Sequence, residues 1–533
     1  MAISDSEPWW RDAVIYQVYP RSYADADGDG IGDIDGIRAH LGHLSDLGVD
    51  AIWMSPWYPS PMADAGYDVA DFRDIDPVFG TLEGAEALIA EAHAAGIRMI
   101  VDIVPNHISS EHPWFKAALA SPDAPERDYF WFRTGRGPEG AEMPTQWRGE
   151  FGGDTWTRAP DGEWYLHLFT PEQPDLNWDH PDVRAEFESI LRFWFDRGVD
   201  GIRIDSAALL LKDPSLPEVL ENTPHPFHDL DGVHDVYRAW RRVADEYGNR
   251  ALIGEVWMPE VERFANYLRP DELHAAFNFD FLGCAWDPRL MRESIDRTLH
   301  AHAAVGAPAT WVLSNHDVTR HVTRYGRQQT TFSFDTNLDG TPVDLELGTR
   351  RARAAALLTL SLPGSTYVYQ GEELGLWENE SIPIDQLQDP MYGRRGHSRD
   401  GCRVPLPWSG DEPPFGFSPV DATAPPWLPQ PAEWKDRTVQ AQTGDPNSML
   451  ELYRAAISLR GREPGLHDSA MTWIAAAPGV LAYTRGADFA CVLNLSEVAV
   501  ELPDYQTCLL ASSPLDGTLL PPDTAVWLRL RSS

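Results

Sequence analysis

Residues 200–210 read DGIRIDSAALL, an apolar run with an arginine and a carboxylate set into it. Strand side chains alternate with a period of two, so Arg203 and Asp205 share one face while Ile202 and Ile204 pack the other. A strand this apolar belongs in a parallel sheet with both faces covered. The charged pair on its polar face is then either a structural ion pair or part of a reacting centre.

Working outward, seven more short apolar runs have the same character: AVIYQVYP (13–20), AIWMSP (51–56), RMIVDIVP (98–105), ALIGEV (251–256), AAFNFDF (275–281), ATWVLSN (309–315) and STYVYQG (365–371). Amphipathic segments such as LEGAEALIAEAHAAG (82–96) and DVRAEFESILRFWFDRG (182–198) lie between them. Strands alternating with helices predict an α/β fold. Eight such units point to a (β/α)₈ barrel of the TIM type. An open doubly wound sheet is the alternative, but no GxGxxG follows the first strand.

The spacing also predicts the domains. The barrel begins over 1–107, and a Trp-, Gly- and Pro-rich inserted domain follows strand three over 108–176. The barrel resumes over 177–466, with a Pro-rich excursion at 372–446 after strand eight. From 467 to 533 the runs GVLAYTR, FACVLNL, VAVEL and TAVWLRL predict a C-terminal antiparallel β-sandwich domain.

Composition narrows the function. With 43 Lys+Arg against 82 Asp+Glu the net charge is −39, which repels nucleic acid and anionic membranes and argues against both as partners. The four cysteines, Cys284, Cys402, Cys491 and Cys508, are too scattered for a disulfide framework or a zinc site. No run of about 18 apolar residues occurs, and MAISDSEPWWRDAV lacks a basic start followed by an apolar stretch. The expectation is a cytoplasmic protein, a monomer or small homo-oligomer, acting on a small soluble substrate.

In a (β/α)₈ barrel the reacting residues sit at the carboxyl ends of the strands. There the sequence places DIVPNH (Asp102, Asn106, His107), Arg203 with Asp205, Glu255, and SNHD (Asn315, His316, Asp317). Singly, each has a structural explanation as an ion pair, a cap or a turn. Together, three acids on three strands suit glycosidic cleavage. One ionised carboxylate attacks the anomeric carbon and a second, protonated, donates to the leaving oxygen. Arg203 is expected to lower the pKa of Asp205, and desolvation to raise that of Glu255.

DIVPNH, GIRID, GEVW and SNHD, with QPDLNW (173–178) ahead of strand four, resemble the α-amylase superfamily, glycoside hydrolase family 13, and its α-glucosidase and oligo-1,6-glucosidase branch. The resemblance covers essentially the whole chain. It implies Asp205 as nucleophile, Glu255 as acid/base and Asp317 as the third acid on the sugar hydroxyls, with His107 and His316 as hydrogen-bond partners of the same glucose. DAGYD (64–68) is similar to the family's DNGYD, implying that Asp64 binds the terminal glucose and Tyr67 stacks on it. SRDGCRVPLPW (398–408) is similar to RDNARTPMQW, implying that Arg399 clamps that glucose, although the departures leave Arg403 open. Phe169 in YLHLF resembles an aromatic wall of the pocket, and a core role fits it equally well. An Asp64–Arg399 pair would close one end of the pocket and favour glucose release from chain ends. Ser206 stands where 1,6-cleaving members often carry valine, which leans toward α-1,4 bonds in a maltose-type disaccharide or short oligosaccharide.

DADGDGIGD (25–33) offers Asp25, Asp27, Asp29 and Asp33 with the Ile31 carbonyl, oxygen donors suited to a hard cation. It resembles the start of an EF-hand loop, but position twelve is Gly36 rather than Glu. Oligo-1,6-glucosidases carry a similar loop that binds calcium, implying structural Ca²⁺, with Mg²⁺ or an ion-free Asp/Gly turn as alternatives. No cofactor is expected for catalysis. Two other functions use the same scaffold: a glucosyl transferase or isomerase of the trehalose synthase or sucrose isomerase kind, and a non-catalytic interaction barrel.

Overall fold

The computed structural model describes residues 8–220, 224–333, 336 and 338–531. The first seven residues, part of the N-terminal stretch read above, lie outside them.

Among the described residues all eight expected strands form: β1 Val14–Val18, β2 Ala51–Met54, β3 Arg98–Ile103, β4 Gly201–Ile204, β5 Ala251–Gly254, β6 Ala275–Ala276, β7 Thr310–Val312 and β8 Ser365–Tyr369. They are parallel, in the order β7-β8-β1-β2-β3-β4-β5-β6. That is the cyclic order of a barrel with one seam, between β6 and β7. Across the seam the Thr310 hydroxyl donates to the Ala276 carbonyl.

The period-two pattern divides the strands cleanly. Val14, Val18, Ile52, Met99, Val101, Ile202 and Ile204 pack outward with the helices in one core. Ile15, Trp53, Ile100, Ile253, Val312 and Tyr367 fill the barrel interior. Two residues beyond Ile15, Ile100 and Ile253, on the same inward face, stand Gln17, Asp102 and Glu255. Asp102 pairs in register with Arg203 of β4. The alternation therefore builds an apolar floor and sets a polar layer on it at the carboxyl ends.

β6 is shorter than its sequence suggested. Asn278 ends the strand pattern by accepting the Phe281 amide at 3.0 Å, capping a short helix over Phe279–Leu282. The excursion after β3 carries a helix, Pro113–Ala120, and a three-stranded antiparallel sheet of Phe132–Arg133, Trp164–Leu166 and Trp156–Arg158. Trp131, Trp147 and Trp156 are buried there against Leu209 and Phe227 from the chain after β4. Lys212 fastens this insertion to the barrel: its buried ammonium lies 2.7 Å from both Asp175 and the Asn106 side-chain oxygen.

The C-terminal region is a five-stranded antiparallel sheet ordered Met471–Trp473, Val480–Arg485, Phe489–Asn494, Thr524–Leu530, Tyr505–Ala511. The run 498–502 supplies only Val500–Glu501, paired with Leu519–Leu520 in a separate ribbon. Trp527 ties the sheet to the barrel by donating its indole N–H to the Leu357 carbonyl at 3.0 Å. No helix among the described residues is long and apolar enough to cross a membrane.

Candidate active site

Two arginines organise the mouth of the barrel. Arg203, fully buried, donates from Nη1 to Asp102 (2.8 and 3.0 Å) and to Asp205 (2.7 Å), and from Nη2 to Glu255 (2.6 Å). Asp205 and Glu255 thus sit on one guanidinium, held from adjacent strands. Ser206 completes the arrangement at a backbone φ of 47°. Its amide donates to Glu255 Oε2 at 3.0 Å and its hydroxyl to Asp205 Oδ2 at 2.9 Å. Glu255 Oε1 accepts from the Trp257 indole at 2.9 Å, and that ring lies flat on Phe279, centroids 3.5 Å apart.

Arg399 makes the second knot, on the excursion after β8. It donates from Nη2 to Asp64 (2.9 Å), from Nη1 to Asp317 (2.8 Å), and from Nε and Nη2 to Asp389 (3.0 and 2.8 Å). Arg403, left open by the sequence, also reaches Asp317 (2.9 Å) and the His316 carbonyl (2.8 Å). Asp64 is bridged to the insertion through Gln173 Nε2 at 3.2 Å.

His316 lies behind the pocket wall rather than in it. Gln17 Nε2 donates to its Nδ1 at 2.8 Å, which fixes the proton on Nε2. That N–H faces the Tyr67 hydroxyl at 2.6 Å and Asp317 at 3.2 Å, and the Tyr67 hydroxyl donates onward to Asp102 at 3.2 Å. The Tyr67 and His316 rings are stacked, 5.2 Å apart and 4° from parallel. His107 does face the pocket, held by the Tyr67 carbonyl (3.1 Å), with Phe169 tilted against it at 4.8 Å.

The electrostatics correct one expectation. Burial pushes the Asp205 carboxyl up to about 6 even though Arg203 pulls it down, because that single cation is shared among three acids. Burial likewise takes Glu255 up to about 7, with Arg203 opposing and Asp205 and Asp317 adding to the rise. Asp102 is pushed to about 7 and Asp64 to about 6, again by burial. Asp317 is the exception. Burial pushes it upward, yet the surrounding charges hold it well below the usual carboxylate range. His316, then Arg399, Arg403 and Arg203, account for that hold; at neutral pH, where burial has driven His316 down to about 3 and left it uncharged, the arginines keep Asp317 ionised.

Asp64, Tyr67, His107, Phe169, Asp205, Glu255, Asp317 and Arg399 all line one cavity of about 310 Å³, small for a ligand site. Arg203 and His316 are absent from its wall and support it from beneath. Sequence reading assigned no role to Asp389, Gln17 and Gln173, which hydrogen-bond to wall residues or to His316, or to Glu150, Trp257, Met391 and Arg395, which line the same cavity.

In the loop after β1, Asp25, Asp27 and Asp29 each offer an oxygen within 4.8 Å of the others. Asp33 is not in that group. It caps the following helix through the Gly36 amide (2.6 Å) and receives the Ala26 amide (2.7 Å). The loop is packed against the 417–427 segment, where Phe417 and Gly30 carbonyls accept the Asp25 and Trp427 amides at 2.9 Å each. A three-carboxylate cluster of hard oxygen donors fits a cation such as Ca²⁺.

A parallel barrel that brings Asp205, Glu255 and Asp317, with Asp64 and Glu150, to one small pocket fits a glycoside hydrolase. Comparison with known proteins agrees. The family model for the catalytic domain of alpha amylase matches residues 17–469, and one for a domain of unknown function, DUF3459, matches 469–527. The chain is 37% identical to a probable alpha-glucosidase of Rhizobium meliloti (96% of this chain, 93% of that one). It is 34% identical to an oligo-1,6-glucosidase of Parageobacillus thermoglucosidasius (85% and 83%). A solved trehalulose synthase variant in complex with Tris superposes with a TM-score of 0.86 at 31% identity, covering 98% of this chain and 100% of that one. The chain belongs to the α-amylase family of glycoside hydrolases.

Proposed function

We propose that this enzyme is an exo-acting α-glucosidase that releases glucose from the non-reducing end of short α-glucosides by retaining double displacement. The observation that carries the reading is the Arg399 knot. Asp64, Asp317 and Asp389 converge on one guanidinium beside the pocket that Asp205 and Glu255 enter. A pocket blocked at that end accepts one terminal glucose and leaves the rest of the substrate to extend away from the knot.

In this mechanism ionised Asp205 attacks the anomeric carbon while Glu255 donates its proton to the departing oxygen. The proton belongs on Glu255 Oε1, which faces one neutral donor, Trp257, whereas Oε2 faces two donors, Arg203 and Ser206. Asp317, kept ionised by Arg399 and Arg403, accepts hydrogen bonds from sugar hydroxyls, with His107 at the same ring. Water activated by the resulting Glu255 carboxylate then releases glucose. Residues Asp25, Asp27 and Asp29 would hold a structural Ca²⁺ away from the chemistry. Ser206, polar and already bonded to the nucleophile, supports a lean toward α-1,4 linkages.

Glucosyl transfer or isomerisation is the competing reading, favoured by the likeness to a trehalulose synthase. Incubation with maltose, isomaltose, trehalose and sucrose, followed by chromatography and anomer-resolved NMR, separates them. The proposal predicts glucose released first as the α-anomer, with maltose turned over faster than isomaltose. A sucrose isomer formed without free glucose, or a β-anomeric first product, overturns it.

A further inference from the structure

Away from the active site, a groove of about 460 Å³ lies where the barrel helix Leu345–Ser361, the excursion after β8 and the C-terminal sheet come together. Its walls include Glu346, Arg350, Arg353, Trp377 and Arg437. Three guanidinium groups on one groove stand out in a chain of net charge −39.

Unlike the arginines of the active site, none of these donates a hydrogen bond to a carboxylate among the described residues. Arg353 donates Nε to the Ser512 carbonyl (2.7 Å) and Nη1 to the Ser448 carbonyl (2.9 Å), both neutral. Arg350 has a single long ion pair, to Asp523 Oδ2 at 3.6 Å, while Arg351 (3.0 Å) and Trp286 (2.7 Å) donate to the other oxygen, Oδ1. Among the described residues the Arg437 side chain has no hydrogen-bond or ion-pair acceptor, and its guanidinium stands 5.7 Å from the Trp377 ring centroid. Asp436 and Asp445 act on Arg437 and Arg353 from a distance, and Glu346 is exposed at the rim.

Burial pushes the pKa of both Arg353 and Arg437 down, and the charge of Arg437 adds to the effect on Arg353. Two half-buried like charges in proximity carry a cost that an anion between them removes. The first turn of the Leu345–Ser361 helix also lines the groove, and its dipole favours negative charge there. A guanidinium fork pairs with the oxygens of a carboxylate or a phosphate, and three guanidiniums on one groove suit the double charge of a phosphate better than the single charge of a carboxylate.

We propose that this groove binds a phosphate-type dianion, free or as a phosphate monoester, between Arg437 and Arg353 with Arg350 at the rim. The overall negative charge excludes a polyanion such as nucleic acid, so the ligand is small. Occupancy bridges the barrel helix, the C-terminal turn at Ser512 and the excursion that also carries Arg399.

The test is isothermal titration of the intact enzyme with inorganic phosphate, glucose 6-phosphate and glucose at matched ionic strength, with Tm read in parallel. Phosphate and glucose 6-phosphate are expected to bind saturably and raise Tm, and glucose to have no effect at this groove. Arg437→Gln and Arg350→Gln are each expected to weaken phosphate by roughly tenfold, the loss of one charge-assisted hydrogen bond, with kcat/KM on maltose unchanged. Equal affinity for the two phosphates assigns the site to the free ion, and tighter glucose 6-phosphate binding assigns it to a monoester. No saturable binding at millimolar phosphate, equal binding in both variants, or phosphate displaced by glucose from the catalytic pocket would each overturn the proposal.

Discussion

Replacing Arg399 with lysine separates charge from geometry in the pocket. The arginine makes four side-chain bonds to three carboxylates, Asp64, Asp317 and Asp389, at 2.8–3.0 Å. An ammonium on a flexible stem keeps the positive charge but not the planar fork, so at least two of the four bonds are lost. Hydrogen bonds to charged groups are worth about 1.5–3 kcal/mol each, giving roughly 3–6 kcal/mol if they act on the transition state. That corresponds to a fall of about 10²- to 10⁴-fold in kcat/KM. Because the buried acids stay compensated, Tm should drop by only a few degrees. A change to leucine, which strands them, should cost about 3–5 kcal/mol of stability. The assay is initial-rate kinetics on maltose, together with the product pattern from a longer maltooligosaccharide and a melting curve. If the lysine enzyme retains maltose kcat/KM within about fivefold of the parent, the knot does not define the glucose subsite.

The remaining predictions concern protons and the loop cation. With Asp205 near 6 and Glu255 near 7, the rate should fall below about pH 6 as the nucleophile takes up a proton, and above about pH 7 as the acid loses its own. A kcat/KM profile flat to pH 9 contradicts that assignment. Trp257→Phe keeps a ring on Phe279 but removes the N–H donor to Glu255 Oε1. Loss of a donor disfavours the carboxylate, so the alkaline limb should move up by roughly half a unit, and an unmoved limb denies the indole any part in setting the acid. Exhaustive chelation should lower both Tm and bound metal, the loop acting as a structural site. If neither changes, Asp25, Asp27 and Asp29 hold no cation.

How much of this was legible in the sequence depended on period and neighbourhood. Arg203 and Asp205 two apart in an apolar run gave away the inward face of β4, and the same parity put Asp102 and Glu255 on it. Residues whose importance arises from distant chain segments were harder to see. Asp389, an aspartate before a proline, caps the following short helix by accepting the Met391 backbone N–H. Its grip on Arg399 follows only from how the excursion folds back. Gln17 is one polar residue in an apolar strand, and its role follows only from His316, nearly 300 residues away in the chain, lying beside it. The sign of the Asp205 shift was beyond local reading, because burial depth and the sharing of one arginine by three acids are tertiary properties. The strand Tyr505–Ala511 was missed since none of its residues is fully buried and they carry no apolar alternation.

The account rests on Asp205 forming a covalent bond to glucose while Glu255 handles the proton. Trapping the enzyme with a slow fluorinated α-glucosyl substrate, followed by peptide mass spectrometry, examines that bond directly. A single glucosyl adduct on the peptide bearing Asp205, absent from a folded Asp205→Asn variant whose kcat is down by roughly three orders of magnitude or more, is the predicted result. An adduct on any other residue, or full turnover by the Asn variant, contradicts it.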